Sequence, residues 1–355
     1  MNKLYALAIF MAFTGTAVAG GGHSMDSHNM GASKSSNNVH FYGRLYLGYD
    51  RVKESNTAGG TVNGVRDDGM KSRIGLKFRE NMGSMTLMGN VEYKFDIGDG
   101  TATSDSTSCS TAGKDCRTFE LHIGNLGLMT GLGYFGAGTF ESPYKTMGMY
   151  DHNMDTATAM NAHGATSKGS YGIAGTWEGS ISYHGKMGPV EIAYIRGMSD
   201  KANSNVQEKD FAYGLTINAV TNLEFGFART HDKSEGDGES NDKFFASYKV
   251  LPNLGAFYTK EEMSINGSNV FTNGEGDIDT FGLHYGMGNN DIQFVIANGN
   301  SLTDGQDYST VSVSNRMNLS KATDFSIGFS RQGYDGDGST NKHKRSIALG
   351  LTHKF

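Results

Sequence analysis

Most of this chain consists of segments of about 10 residues in which apolar and polar side chains alternate. In the first segment Phe41, Leu45 and Leu47 share one face, and the intervening Arg44 and Tyr46 belong to the other. A period of two residues is that of a β-strand whose two faces meet different surroundings. The 50 glycines suit tight turns and would weaken helices. The chain is therefore predicted to be all-β.

Sixteen such segments can be counted between residues 39 and 355. Short turns, most of which contain glycine, proline or asparagine, alternate with longer charged loops such as 233–241 and 333–342. This order favours antiparallel strands joined in sequence. One pair of segments can be misread, so fourteen and eighteen strands remain open alternatives. The short turns are 187–189, 221–222, 251–253, 288–290 and 320–323.

Three local predictions concern single segments of the chain. The fourth segment puts Phe119, Leu121 and Ile123 on one face, and the turn that follows it falls within 125–131. Residues 53–69, between the first two segments, are predicted to form a loop.

Two architectures fit an array of this kind. A soluble stack of β-domains buries its apolar face, whereas a membrane barrel turns that face toward lipid and encloses a polar lumen. The second segment favours the barrel, because its apolar Ile74, Leu76 and Phe78 alternate with cations. A cation on the lipid side at the bilayer midplane would cost about 2–4 kcal/mol, so these cations should line the lumen. They are Lys71, Arg73, Lys77 and Arg79.

The membrane interpretation is also consistent with the hydrogen bonds that the backbone must form. A closed sheet is the β-structure that pairs every backbone group within lipid, and sixteen strands leave a water-filled channel inside. After residue 19 no apolar run reaches the roughly 20 residues that a spanning helix needs. Trp177 and the tyrosines near strand ends are expected in aromatic belts at the membrane surfaces. The prediction is a transmembrane antiparallel β-barrel.

The first 38 residues precede this array. Lys3, the apolar run 4–13 and the sequence Ala17-Val18-Ala19 have the features of a cleaved signal peptide at residues 1–19. Residues 20–38 are rich in Gly, Ser and Asn and are predicted to be a flexible linker, which leaves 39–355 as the barrel domain.

The two cysteines, Cys109 and Cys116, lie in a polar stretch and lack further Cys or His partners at a spacing suited to zinc. Because export permits oxidation, a loop-closing disulfide is predicted, with two unpaired thiols as the alternative. Soft-metal capture by the His and Met residues of 20–38 or 141–175 is the less favoured interpretation of those segments, and the acidic loops lack the calcium-loop pattern. No metal or other cofactor is predicted.

The end of the chain carries a resemblance. Residues 350–355, GLTHKF, resemble the G-x-x-H-x-F ending of the general porins of Gram-negative outer membranes. FYGRLYLGYD at 41–50 and SRIGLKF at 72–78 are similar to that family's first and second strands. Gly138 with ESPYK at 141–145 resembles the start of its constriction loop, and WEGSISYHGKMGP at 177–189 resembles the strand after it. Departures are Thr139 and Phe140, where the family usually has Arg-Gln, and Gly179, where it usually has Asn.

The resemblance implies a role for residues 141–175, which are the one long break in the alternation. In that family the third loop folds into the barrel and narrows the pore, and the protein is typically a homotrimer. Carboxylates on this loop would then face the basic wall, and opposed charges across a narrow lumen create a field that sorts solutes. The predicted pore residues are Arg44, Lys71, Arg73, Lys77, Arg79, Glu141, Asp151 and Asp155.

The expected function is that of an outer-membrane porin, a channel for passive diffusion of ions and small hydrophilic solutes whose other partner is lipid. A solute-selective porin and a barrel serving as a surface adhesin are the alternatives. An enzyme is not expected, since G-x-S-x-G, H-E-x-x-H and phosphate-loop patterns are missing from the sequence. The net charge of -6 argues against nucleic acid, which requires a basic face.

Overall fold

The computed structural model describes the strands and most short turns of the chain. The described residues are 38–54, 61–66, 72–95, 97, 119–150, 175–198, 210–232, 239–264, 276–301, 307–335 and 342–355. The predicted signal peptide and residues 20–37 of the predicted linker lie outside them, as do Cys109 and Cys116, whereas Asn38, the last predicted linker residue, begins the first strand. Within the described residues no helix has the length and apolar composition needed to cross a membrane.

Seventeen strands and one short helix make up this part of the chain. In order they are β1 Asn38–Glu54, β2 Thr61–Arg66, β3 Ser72–Met82, β4 Met85–Phe95, β5 Phe119–Thr130, β6 Gly133–Glu141, α1 Pro143–Thr146, β7 Thr176–Met187, β8 Val190–Gly197, β9 Phe211–Val220, β10 Leu223–Asp232, β11 Glu239–Leu251, β12 Leu254–Met263, β13 Gly276–Met287, β14 Asn290–Ser301, β15 Asp307–Asn318, β16 Thr323–Asp335 and β17 Lys342–Lys354.

The strands form one closed antiparallel sheet. From β3 to β17 each strand pairs with the next, and β17 pairs with β1, with Arg44 opposite Lys354. β2 and β3 both pair with β1, β2 along its second half and β3 along its first. They therefore share one position in the wall, which makes the seventeen segments a barrel of sixteen strands. The predicted fold class and strand number are confirmed.

The two faces of the wall follow the alternation in the sequence. On β1 the side chain of Phe41 is 68% exposed, whereas Arg44 and Tyr46 are 7% and 3% exposed. Because the sheet is closed, the face with exposed apolar side chains is its outer surface, and the polar face lines the lumen. The predicted facing of the first two segments is confirmed for their described residues.

Three local predictions were wrong. Ile123 is buried and lies opposite Glu92 on the lumen face, because an irregularity in the β4–β5 register shifts the alternation after Leu121. The turn after β5 is formed by residues 131–132, since the predicted turn residues 125–130 continue the strand. The predicted loop 53–69 contains β2, whose TVNGVR sequence is too short and glycine-broken to stand out from a loop.

Trp177 also differs from its prediction. Its side chain is fully buried on the lumen side with Phe140 and Ile195, and does not lie in an interfacial belt. Trp177 and Phe140 are paired across β6 and β7 just beyond a register shift at Gly138. The shift redirects both side chains, which alternation alone does not indicate.

Candidate pore lining and constriction

The chain turns away from the wall at the end of β6. Ser142 caps α1 by accepting a hydrogen bond from the Tyr144 backbone N–H (3.2 Å), and Pro143 occupies the first helical position, where its missing N–H costs nothing. The Ser142 backbone N–H donates to the carbonyl of Gly175 (2.9 Å). The segment between β6 and β7 therefore leaves and rejoins the wall at one place.

The first residues of this segment lie on an apolar part of the lumen wall. Tyr144 and Met147 pack against Ala193, Ala228 and Phe245, which point inward from β8, β10 and β11. These small or flat lumen-facing side chains leave space for the loop, and their apolar surface is removed from water by it. We call residues 142–150, which follow β6 along this wall, the loop base.

Tyr144 anchors the loop base through buried polar contacts. Its hydroxyl donates to Glu261 Oε2 on β12 at 2.8 Å. The Lys243 ammonium on β11 donates to the Tyr144 backbone carbonyl and lies 4.8 Å from the centre of its ring. All three side chains are at most 1% exposed. Because the Tyr144 hydroxyl, the Lys243 ammonium and Glu261 Oε2 are hydrogen-bonded to one another or to the loop base, burial costs less than it would for isolated charges.

Tyr150 makes a second attachment. Its hydroxyl donates to Glu224 Oε1 on β10 (2.8 Å), and its carbonyl accepts from Gln293 Nε2 on β14 (2.7 Å). Burial, reinforced by Glu224, raises the pKa of Tyr150 well above its ordinary value, so the hydroxyl stays protonated and donates. The ring lies 5.2 Å from that of Phe257. The loop base is therefore fixed to lumen-facing side chains from β8 to β14.

A row of charged side chains connects β3 to the loop base along the lumen face. Arg73 Nη1 lies 3.4 Å from Glu92 Oε1, which lies 2.6 Å from His122 Nδ1. His122 Nε2 lies 3.7 Å from Glu141 Oε1, which accepts from Lys145 Nζ at 2.6 Å. We call these five residues the charged row.

The charges in this row balance. Arg73 and Lys145 contribute two cations and Glu92 and Glu141 two carboxylates, with His122 bridging the carboxylates. Four of the five side chains are buried, and Lys145 is nearly so. Removing one partner from such a set leaves an uncompensated buried charge, which is strongly destabilising. The row therefore fixes α1 to β5 and β6 as well as lining the lumen.

The structure places five of the eight predicted pore residues. Arg44 lies opposite Arg73 in the β1–β3 register, and Lys77 Nζ lies 4.8 Å from the centre of the Tyr42 ring. Arg79 is partly buried on the same face of β3. Glu141 belongs to the charged row and is connected to Arg73 through Glu92 and His122. Lys71, Asp151 and Asp155 lie outside the described residues.

Several lining residues were not singled out by the sequence. Glu92 alternates with apolar residues in the sequence, which puts it on a polar strand face, but nothing in its surroundings marks it as the partner of Arg73. Alternation from Phe119 puts His122 on the lumen face, but nothing in the sequence marked it as the partner of Glu92. Lys243 and Glu261 lie on the polar faces of two hairpin strands, and their contact with Tyr144 spans about a hundred residues of chain.

The comparisons with known proteins agree with this architecture. The sequence profile described as Gram-negative porin matches residues 6–337. The chain belongs to the Gram-negative porin family. It is therefore an outer-membrane diffusion channel, and membership of this family points to a channel rather than an enzyme. A comparison with curated proteins gave no match.

Solved structures share the fold at low sequence identity. The anion-selective porin from Comamonas acidovorans superimposes with a TM-score of 0.70 and 13% identity, covering 90% of this chain and 100% of that one. The outer membrane channel DcaP of Acinetobacter baumannii gives 0.63 and 11%, covering 91% and 99%. The trimer form of OmpT of Vibrio cholerae gives 0.60 and 14%, covering 90% and 100%.

Proposed function

We propose that residues 141–175 narrow the pore of this porin and that ions and small hydrophilic solutes pass the narrowed part by passive diffusion, without cofactor or turnover. The observation that carries the proposal is the burial of Tyr144 against Glu261 and Lys243 on the lumen face. Because the loop base is attached to the lumen face, the chain that follows it is proposed to start from inside the barrel. A narrower path through the lumen lowers conductance and increases the influence of fixed charges.

The basic residues of β1 and β3 are proposed to form one wall of the narrow region. Arg44 and Arg73 are cross-strand neighbours, and like charges in that position repel. Glu92 offsets part of this repulsion from β4. We assign Arg44, Lys71, Arg73, Lys77 and Arg79 to the basic wall, and Glu141, Asp151 and Asp155 to the loop that borders it.

The mature protein is proposed to be a homotrimer in the outer membrane, exported by a signal peptide cleaved after residue 19. The basic, apolar and small-residue order of residues 1–19 supports the cleavage. A trimer form among the similar structures supports the assembly. Cys109 and Cys116 are proposed to close a disulfide, which alkylation with and without reductant followed by gel electrophoresis tests.

Single-channel recording in planar bilayers tests the proposed constriction. Shortening the loop within 146–165 should give clearly larger conductance steps, because the obstruction is removed while the wall is retained. A shortening of similar size within 199–209, in another long loop, is the matched control and should leave the step size close to that of the parent. Equal steps for both deletions would place the third loop outside the conducting path.

A further inference from the structure

Two short turns of the barrel are built on the same eight-residue pattern, H-x-x-M-G-x-x-E/D. It occurs at 184–191 as HGKMGPVE and at 284–291 as HYGMGNND. The first joins β7 to β8 and the second joins β13 to β14. In both hairpins the methionine pairs with the residue three positions later, and the glycine has φ of 60°. A two-residue turn with positive φ is typical of tight hairpins.

The first and last residues of the pattern are in contact in both hairpins. His184 Nε2 lies 2.8 Å from Glu191 Oε1, and His284 Nε2 contacts Asp291 Oδ1. The neighbouring Ile181 and Leu283 are exposed on the outer surface, so by alternation both histidines face the lumen. Short turns of this kind of barrel lie at the periplasmic end. We call the two contacts the hairpin pairs.

Each pair has charged neighbours on adjoining strands. Glu191 lies opposite Lys186 in register, and both are close enough to Glu224 on β10 for their charges to act on it. On the β6 side, His184 lies opposite Tyr134, which carries no charge of its own at neutral pH.

The second pair has a different set of neighbours. Asp291 lies opposite Arg316 on β15. The charge of Arg316 also interacts with that of Lys354, as do the charges of Asp324 and Arg44. His284 lies opposite Gly255 on β12 and Gln293 on β14, both uncharged. The residues that lie opposite His184 and His284 in these register pairs are therefore uncharged.

The hairpin pairs border the loop base on two sides. The Tyr150 hydroxyl contacts Glu224, whose charge interacts with that of Glu191. The Tyr150 carbonyl accepts a hydrogen bond from Gln293, which is the register partner of His284. A change of charge at either pair is thus made within the lumen beside the proposed constriction.

We infer that the hairpin pairs His184–Glu191 and His284–Asp291 give the periplasmic side of the pore a proton-dependent charge preference. Histidine is the side chain that changes charge between about pH 5 and 8. A neutral histidine beside a carboxylate leaves a net charge of minus one, and protonation makes the pair neutral. Acidification therefore adds up to two positive charges to one end of the lumen and reduces its preference for cations. The inference rests on the proposed pore.

The test measures the reversal potential in a salt gradient at about pH 8 and about pH 5.5. We expect the cation-to-anion permeability ratio of the parent to fall about twofold on acidification, as added fixed charge in a narrow lumen requires. In the double variant His184→Gln/His284→Gln most of that fall should disappear. The matched control is His231→Gln, which removes a histidine from the outer surface of β10 and should keep the full response.

A second double variant, Glu191→Gln/Asp291→Asn, checks the charge rather than the packing. It should lower the cation preference already at about pH 8 with step sizes close to those of the parent. An undiminished pH response in His184→Gln/His284→Gln would overturn the inference. Failure of the parent itself to conduct would instead contradict the proposed pore, so the two failures can be told apart.

Discussion

The hydroxyl of Tyr144 donates a hydrogen bond of 2.8 Å to Glu261, 117 residues further along the chain. Both side chains are buried, and Lys243 completes the contact by donating to the Tyr144 carbonyl. Away from water, hydrogen bonds to charged groups are strong and an unpaired partner is costly. This contact therefore decides where the loop base lies on the wall, and it makes the position of the loop sensitive to a single atom.

Tyr144→Phe is expected to loosen the loop base. The variant leaves Glu261 without the tyrosine hydroxyl, at a cost of about 1–3 kcal/mol in the stability of the loop attachment. Single-channel traces should become noisier, with larger steps, because the loop samples positions away from the wall. Tyr285→Phe, at an exposed tyrosine of the outer surface, is the control. Identical traces for the two variants would show that this hydrogen bond does not hold the loop.

Removing cations from the basic wall and removing the carboxylate beside it should change ion preference in opposite directions. Arg73→Gln/Lys77→Gln removes two lumen cations and should raise the cation-to-anion permeability ratio, read from the reversal potential in a salt gradient. Glu92→Gln removes the carboxylate that offsets Arg73 and should lower the ratio. A ratio that moves the same way in both variants, or in neither, would be incompatible with these residues lining the conducting path.

Gly43 and Phe355 should control closure of the barrel. Their backbones exchange hydrogen bonds of 2.9 and 3.1 Å, and a Cβ on residue 43 would lie 2.4 Å from the Phe355 ring and 2.8 Å from the Arg73 carbonyl. Gly43→Ala should therefore destabilise the barrel by about 1–3 kcal/mol. Gly131→Ala, where a Cβ meets nothing within 4 Å, should not. The measurement is the temperature at which the folded band on a gel converts to the unfolded one.

The sequence predicted the fold well because facing is a local property. Strand alternation has a period of two, so the lumen position of Arg44 and Arg73 can be counted from their own neighbours. The strand number followed from the same counting, and β2 did not change it because it shares the position of β3. The same counting gave the wrong facing for Ile123, since one irregular residue in β5 reverses the facing of those that follow.

The contacts inside the lumen were not predictable in the same way. His122 reaches Glu92 across the β4–β5 pair, and Tyr144 meets Lys243 and Glu261 only once the barrel is closed. Such partners are fixed by the curvature of the whole wall and by where the loop base lies. A charged residue on a polar strand face shows only that it faces the lumen, and its partner comes from the tertiary structure.

Gly179 provides a test of a departure from the family pattern, which usually has Asn at this position. Its φ is 58°, in the left-handed region, at the β6–β7 register shift that also turns Trp177 inward. Glycine adopts this conformation freely, and asparagine is among the residues that tolerate it best. The two residue types therefore satisfy one backbone requirement. The Gly179→Asn variant should be about as stable as the parent.

Gly179→Val should instead destabilise the barrel by about 1–2 kcal/mol, because a β-branched side chain in the left-handed region clashes with its own backbone. The gel conversion temperature measures both variants under identical heating. Since Asn and Val add side chains of similar size at one site, a difference between them isolates the backbone conformation from the space available. Equal conversion temperatures would mean that φ at residue 179 does not constrain this position.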